Sequence, residues 1–197
     1  LLIGVKFLQL AALALSQAVM IYFIIYVLGK GYGFLSLYGV VVSVCMLAGP
    51  PLCLLALRRY DKRQVFTCVS LIYAALVLSW YWASAAEPVS LFMLRAVLLG
   101  LCSGGMLMMG QAMLPDTIAY DYQRTGLRRE GLFAGIYTMA EKFAFAVGGA
   151  LSGLILGFMG YVSSTTGYSE QPATAIAAIY WCMSVLPAAL VLISCVV

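Results

Sequence analysis

Long apolar stretches separated by short polar connections fill almost the whole chain. About 20 consecutive apolar residues are needed to cross a hydrocarbon core of roughly 30 Å. Backbone polar groups in lipid must hydrogen-bond within their own segment, so stretches of this length predict helices rather than barrel strands. Six stretches are long enough, and the predicted spans cover approximately residues 2–28, 34–57, 65–83, 90–114, 132–161 and 173–197.

The composition is that of a protein dissolved mainly in lipid. Hydrophobic residues make up 64% of the 197 residues and charged residues 9%, whereas about a quarter of the residues in soluble domains are charged. A water-soluble chain of this length could not cover so much apolar surface with one core. We therefore expect the lipid bilayer to be a main partner of the chain, which we interpret as one six-helix bundle over residues 1–197.

Residue types that hold metals or perform catalysis are scarce. The chain has no His, and its six Cys form no CxxC pair, so zinc and haem-attachment sites are not expected. The GxSxG and HExxH patterns of hydrolases and metalloproteases do not occur in the sequence. We predict that the protein is not an enzyme and that it holds no metal and no cofactor.

Positive charge is concentrated in two connections, which hold Arg58, Arg59, Lys62 and Arg63 (second) and Arg124, Arg128 and Arg129 (fourth). The first connection contains Lys30, and the third and fifth contain Glu87 and Glu170 but no Lys or Arg. By the positive-inside rule, the second and fourth connections and both chain ends are expected on the cytoplasmic side of the plasma (inner) membrane. The net charge of +4 follows from this topology. No basic patch interleaved with aromatic residues indicates a nucleic-acid partner.

The chain has the form of half a carrier. It opens at Leu1 and closes at Val197 within apolar stretches, so we expect an excised piece of a longer protein. Six helices with both ends inside match one of two six-helix repeats, and the expected partner is an amino-terminal half that is absent here. The connections are too short for a nucleotide-binding domain, and the GxxxxGK[ST] pattern is missing from the sequence. An ion gradient is therefore the expected source of energy.

Glu141 and Lys142 lie about ten residues into the fifth predicted span, or roughly 15 Å along a helix. A charge near the bilayer midplane costs at least about 2.5 kcal/mol, so each should face a cavity or a partner. Adjacent residues diverge by about 100°, so the two charges lie on different faces. Small and polar residues share the face of Lys142: Gly135, Thr138, Gly149 and Gly153. Glu141 lies on the flank, near Tyr137 and Ser152. The candidate substrate and cation pocket comprises Lys142, Thr138, Tyr137, Glu141, Gln17 and Tyr22. The alternative is a structural ion pair between Lys142 and a carboxylate on another helix.

Other intramembrane residues allow two interpretations each. Gln17, Tyr22 and Tyr26 in the first span are candidate cavity residues or aromatic interface anchors. Lys6 and Arg95 lie near span ends and are expected to extend to the membrane surface, with a gating role as the alternative. Close helix packing is predicted at Gly149, Gly153 and Gly157 and also at Gly100 and Gly104. Gly49, Pro50 and Pro51 predict either a hinge or a kink packed by its neighbours.

The fourth connection, residues 114–131, is predicted to be a charged cytoplasmic loop. Thr125 and Gly126 indicate a turn, and Glu130 favours the positive start of the next helix. Asp116 and Asp121 could pair with Arg58, with Arg59 or with the basic end of the fifth span, and a solvated loop is the alternative. The predicted loop-to-loop latch comprises Asp116, Asp121, Arg124, Arg128, Arg129, Glu130, Arg58, Arg59, Asp61 and Arg63.

A family resemblance is carried by these residues. The pattern consists of Asp116 and Tyr120, then Arg124, Thr125, Gly126, Arg128, Glu130 and Gly131, then Tyr137, Thr138, Met139 and Lys142, and finally Gly160 and Tyr161. It resembles the tenth-to-eleventh helix region of the glycoside–pentoside–hexuronide:cation symporters, a family of the major facilitator superfamily that includes the melibiose carrier. Residues 58–63 resemble the short basic motif of the superfamily's inner loops. The implied fold class is all-α: a polytopic membrane protein whose six transmembrane helices form one half of a twelve-helix major facilitator fold.

The resemblance implies a symporter driven by Na⁺, Li⁺ or H⁺ that works by alternating access. Thr138 and Lys142 match positions near the family's sugar and cation pocket, and Lys142 would connect to acidic residues on the absent half. Two positions depart from the family. Leu107 replaces a Trp of the sugar carriers, which weakens a galactoside-type substrate, and Glu141 occupies a position that is apolar in the melibiose carrier.

Three functions are compatible with the sequence. The leading hypothesis is cation-coupled symport of a sugar, a glycoside or a related organic solute. A lysolipid or amphiphile carrier of the same superfamily is the alternative within transport, because the Met-rich fourth span would suit an apolar tail. A non-transporting membrane sensor derived from a carrier is the third.

Overall fold

The computed structural model describes residues 2–162 and 171–196. Its α-helices are α1 (Leu2–Tyr22), α2 (Tyr32–Ala56), α3 (Lys62–Leu78), α4 (Val89–Thr125), α5 (Glu130–Phe158), α6 (Ala173–Tyr180) and α7 (Leu186–Val196). Three shorter helical segments continue these helices: a π-helix at Phe23–Val27, a 3₁₀-helix at Ser79–Trp82 and a π-helix at Trp181–Val185. Glu170, predicted to lie in the fifth connection, is outside the described residues.

Six helical segments are long and apolar enough to cross a membrane, as predicted. They are Leu2–Val27, Tyr32–Ala56, Lys62–Trp82, Val89–Thr125, Glu130–Phe158 and Ala173–Cys195. The described residues contain no strand, so the all-α class is confirmed. These long apolar helices can cross lipid because each one hydrogen-bonds its own backbone polar groups. The chain is therefore an integral multi-pass membrane protein.

The fourth span differs from the prediction at its end. A helix was expected to finish near residue 114, but α4 continues through Pro115 to Thr125. Proline removes one amide donor from the helix without requiring it to end. Gly126 ends the helix instead, in the left-handed region with φ of 70°, and its amide donates to the Tyr122 carbonyl at 2.8 Å. The predicted charged loop is therefore mostly helix, and the connection shrinks to residues 126–129.

Glycines bring α2 and α4 into close contact. A Cβ added at Gly100 would lie 2.7 Å from the Val42 carbonyl oxygen, and one at Gly104 would overlap the Met46 carbonyl. Gly49 approaches the α4 backbone in the same way, at Leu101. The predicted packing at Gly100 and Gly104 is confirmed. α2 continues as a helix through Pro50 and Pro51.

Trp80 is the centre of the aromatic core and is fully buried. Its ring lies 5.6 Å from that of Phe23 and 5.0 Å from that of Phe92, edge to face in both cases. The Arg95 guanidinium lies over the same ring at 5.2 Å and pairs with Glu87 at 2.7 Å. Arg95 thus extends towards the end of its span, where Glu87, just before α4, provides a counter-charge that is little exposed.

A buried amide connects three helices. Gln9 on α1 is 2% exposed, and its Nε2 donates to Ser70 Oγ of α3 at 3.0 Å and to Ser194 Oγ of α7 at 3.3 Å. Hydrogen bonds between helices contribute to the association of membrane helices, where the hydrophobic effect between helices is absent. Gln9 therefore connects the first span to the third and the sixth.

We expect Gln9→Leu to lower the melting temperature of the purified full-length protein. The substitution leaves the two serine hydroxyls without their amide donor, and interhelical hydrogen bonds of this kind are worth roughly 0.6–2 kcal/mol. Gln17→Leu is the matched control, since Gln17 is on the same helix but exposed. Equal losses in the two variants would show that Gln9 does not connect these helices.

Candidate functional site

One face of α5 packs against α1. Its buried residues are Tyr137, Ala144, Gly148, Ser152 and Leu156. Gly148 permits the contact, because a Cβ added there would lie 2.6 Å from the Ala11 carbonyl oxygen and 3.0 Å from the Leu15 amide nitrogen. The sequence analysis assigned Tyr137 to a pocket, but the structure places it in this contact between helices.

A second face of α5, about 100° around the helix from Gly148, has no packing partner among the described residues. We name it the open face and define it by Gly135, Thr138, Lys142, Gly149 and Gly153. All five are exposed, and a Cβ added at any of its three glycines would meet no atom within 4 Å. The same holds for Gly157. Among the described residues, Gly149, Gly153 and Gly157 make no close helix contact, and the close contact of α5 is made by Gly148, which faces α1.

Lys142 is an exposed ammonium near the middle of its span. In residues 2–162 and 171–196, the ion pairs within 4 Å are Lys62–Asp116 and Arg95–Glu87. The structure thus contains no ion pair of Lys142 within the described chain. The Thr138 hydroxyl, one turn earlier on the open face, donates to the Ala134 carbonyl at 2.9 Å and keeps its oxygen available as an acceptor. Together the two side chains offer a cation and a hydroxyl to a solute.

The sequence analysis did not predict that Lys6 is buried inside the helix bundle. It was expected to extend to the membrane surface, but it is 4% exposed and its Nζ donates to the Met106 carbonyl at 3.4 Å. Gly110 of α4 leaves room for the lysine side chain. A sequence signal for this burial was available: Lys6, Gln9 and Ser16 form a polar stripe along one side of an otherwise apolar span.

Two of the three first-span candidates, Gln17 and Tyr22, lie apart from each other. Gln17 is exposed and borders a crevice shared with Tyr38 and Ser103. Tyr22 packs edge to face on Tyr161, with ring centroids 5.1 Å apart. Tyr161 follows the end of α5, and 1.5 Å per residue places that end roughly 24 Å beyond Lys142. Tyr22 is therefore a contact between helices near the far end of the bundle, and the prediction that it shares a pocket with Lys142 is wrong.

In the predicted latch, Asp116 forms its ion pair with Lys62 rather than with one of the predicted arginines. Lys62 Nζ lies 2.6 Å from Asp116 Oδ2, so the start of α3 is tied to the extension of α4. Neither Arg58 nor Arg59 takes this place, because α4 stays helical through Asp116 and holds it opposite the first residue of α3. Both partners are about half exposed, and such pairs contribute about 1 kcal/mol or less to stability.

The remaining latch candidates make no ion pair within 4 Å in the described part of the chain. They are Arg58, Arg59, Asp61, Arg63, Asp121, Arg124, Arg128, Arg129 and Glu130. The Arg128 guanidinium lies 5.9 Å from the Tyr122 ring centroid, a cation–π contact across the short fourth connection. Glu130 is the first residue of α5, as predicted, where its carboxylate favours the positive helix end.

Comparison with known proteins gives the following similarities. The profile of a family described as "MFS/sugar transport protein" matches residues 1–197. A proposed sulfoquinovose importer of Escherichia coli (strain K12) is 30% identical over 154 residues, which is 78% of this chain and 32% of that protein. The glucuronide carrier protein homolog of the same strain is 28% identical over 130 residues, 66% of this chain and 27% of that protein.

A third relative in Escherichia coli (strain K12), a proposed glycoside/cation symporter, is 27% identical over 134 residues, 68% of this chain and 28% of that protein. The matched region covers about a third of the length of the first of these curated relatives.

Proposed function

Because this chain belongs to the MFS/sugar transport protein family, we propose that it is the carboxyl-terminal half of a cation-coupled symporter for a sugar, a glycoside or a related organic solute. The carrier works by alternating access, with Na⁺, Li⁺ or H⁺ as the coupling ion. In this proposal it lies in the plasma (inner) membrane, with both ends of the chain cytoplasmic. The second half of the carrier is the partner that covers the open face.

The observation that carries the proposal is the exposed position of Lys142 on a stripe of small residues. An ammonium near the bilayer midplane is costly when it faces lipid, so it requires a wet cavity or a counter-charge. The described part of this chain contains no carboxylate within 4 Å of it. A second six-helix unit that closes a central cavity over the open face would provide both water and acidic groups.

The names of the relatives guide the choice of solute. Sulfoquinovose and glucuronides are sugars that carry a negative group, and a third relative is described as a glycoside/cation symporter. In our proposal, Lys142 and Thr138 contact the solute or the coupling ion from α5, and Gln17 contributes an amide from α1. Glu141 acts from the flank of α5, outside the direct contact.

Uptake by the full-length protein in proteoliposomes tests this function. Radiolabelled sulfoquinovose, a glucuronide, a neutral glycoside and a lysolipid are each offered with an inward Na⁺ gradient, an inward H⁺ gradient or no gradient. We expect one of the sugars to accumulate above its external concentration only when a cation gradient is present. Accumulation of the lysolipid alone would replace sugar symport with amphiphile transport, and equilibration without accumulation would remove cation coupling.

A further inference from the structure

Lys6 lies inside the bundle although it carries a charge. Its side chain is 4% exposed, and the bond from its Nζ to the Met106 carbonyl, at 3.4 Å, is long. Gly110 provides the space on α4: a Cβ added there would lie 2.5 Å from Nζ. A buried ammonium with one weak hydrogen bond requires a compensating charge nearby.

The packing of α1 against α5 indicates where that charge is. The Ala11 carbonyl adjoins Gly148, and the rings of Phe7 and Phe143 stack with centroids 6.0 Å apart. Both contacts advance in the same direction along the two helices, which therefore run parallel. The residue before Phe7 consequently lies at the level of the α5 turn that contains Glu141.

Glu141 is half-buried beside the face of α5 that packs on α1. Tyr137, Ala144 and Gly148, at helical spacings of four, three and seven residues from it, are buried on that face. Lys6 is the basic residue of α1, and it lies at this same level of the α1–α5 contact. The lysine and the glutamate are not in direct contact in the described residues, but attraction inside a bundle is screened far less than in water.

We propose that Lys6 and Glu141 form a charge pair between α1 and α5 that sets the rotation of α5 about its axis and thereby directs Lys142 to the open face. Consecutive residues on a helix diverge by about 100°. Attraction of Glu141 towards α1 therefore turns the next residue away from α1. Lys6 and Glu141 are positioning residues in this proposal, and Lys142 is the group that they position.

The pair also determines which of the two lysines is compensated within this half. If Glu141 offsets the charge of Lys6, the charge of its chain neighbour Lys142 remains for a solute, an ion or a carboxylate of the other half. Only this last consequence rests on the proposed transport function. The pair itself and its effect on the orientation of α5 can be measured without any transported solute.

Charge variants of the full-length protein test the pair through stability. Lys6→Glu and Glu141→Lys each place like charges together, so we expect both to lower the melting temperature, and the exchanged variant K6E/E141K to recover most of the loss. The neutral variant K6M/E141Q should also recover stability relative to Glu141→Gln alone. For comparison, Lys142→Met should give no recovery in the Glu141→Gln background. Strictly additive effects of the Lys6 and Glu141 changes, or recovery by Lys142→Met, would overturn the pair.

Labelling tests the positioning role separately from stability. Thr138→Cys lies on the open face, and its reaction rate with a membrane-impermeant maleimide is measured in vesicles, with the unchanged protein as the background for the six native cysteines. We expect K6M/E141Q to change this labelling rate by at least about threefold, an effect of the size that the coupling free energy between neighbouring residues produces. We expect K6E/E141K to restore the rate. Recovered stability with an unchanged labelling rate would leave the pair purely structural and overturn its positioning role.

Discussion

Lys142→Met is expected to reduce the initial rate of solute uptake by at least about tenfold while the protein remains folded. A hydrogen bond to a charged group is worth about 1.5–3 kcal/mol, and 1.4 kcal/mol corresponds to a factor of ten. The ammonium is exposed and has no ion pair in the described part of this chain. Its removal therefore disrupts no contact on which this half depends for folding. Uptake by the full-length protein in proteoliposomes and its melting temperature are the two measurements.

Lys30→Met is the control for Lys142→Met. Lys30 is also an exposed lysine, but it lies in the first connection rather than on the open face. The control should retain both uptake and melting temperature. Lys142→Arg keeps the charge with a different geometry and should retain more uptake than Lys142→Met. If Lys142→Met transported normally, the open face would not be the solute or ion site, and our proposed function would lose its main support.

Gly148→Val should destabilise the protein strongly. The new side chain would meet backbone atoms of α1, at the Ala11 carbonyl and the Leu15 amide, and neither can move without displacing the helix. Overpacking of a close-packed interior costs about 1–3 kcal/mol, and more where the neighbour is rigid. At about 2–4 °C per kcal/mol for a unit of this size, the melting temperature should fall by roughly 2–12 °C. The full-length protein is heated at a series of temperatures, and size-exclusion chromatography then measures the fraction that remains monodisperse.

Gly149→Val provides the matched control one residue further along the chain. A side chain there meets no atom within 4 Å, so the stability of this half should not change. The same variant narrows the space in front of the open face, so uptake should fall although the protein stays folded. A melting temperature reduced equally by both substitutions would show that the two sides of α5 do not differ as described.

The number and class of the helices could be predicted from the sequence because, in lipid, each span depends only on the residues of its own segment. A segment in hydrocarbon must bond its own backbone, and its length must match the bilayer, so apolar length alone identifies a span. The same logic does not define span ends outside the apolar region. For this reason α4 was predicted to end near Pro115, although its helix continues to the left-handed Gly126.

The candidate site was predictable in part. Helical periodicity placed Thr138 and Lys142 on one face and Glu141 on another, and the structure has this arrangement. Periodicity could not identify the partner of each face. Gly148 and Gly149 are identical residues about 100° apart, and only the position of α1 makes the first a packing contact and leaves the second open.

The sequence by itself determined six membrane-spanning helices and the side of α5 on which Lys142 lies, because the length and periodicity of a helix are properties of one segment. The tertiary structure decided the burial of Lys6, the pairing of Arg95 with Glu87 and the pairing of Asp116 with Lys62. Each of these depends on space or charge provided by a distant segment: Gly110 makes room for Lys6, and the continuation of α4 past Pro115 places Asp116 beside Lys62. Burial and pairing are properties of two surfaces in contact, and the pattern of a single helix does not specify which surface it will meet.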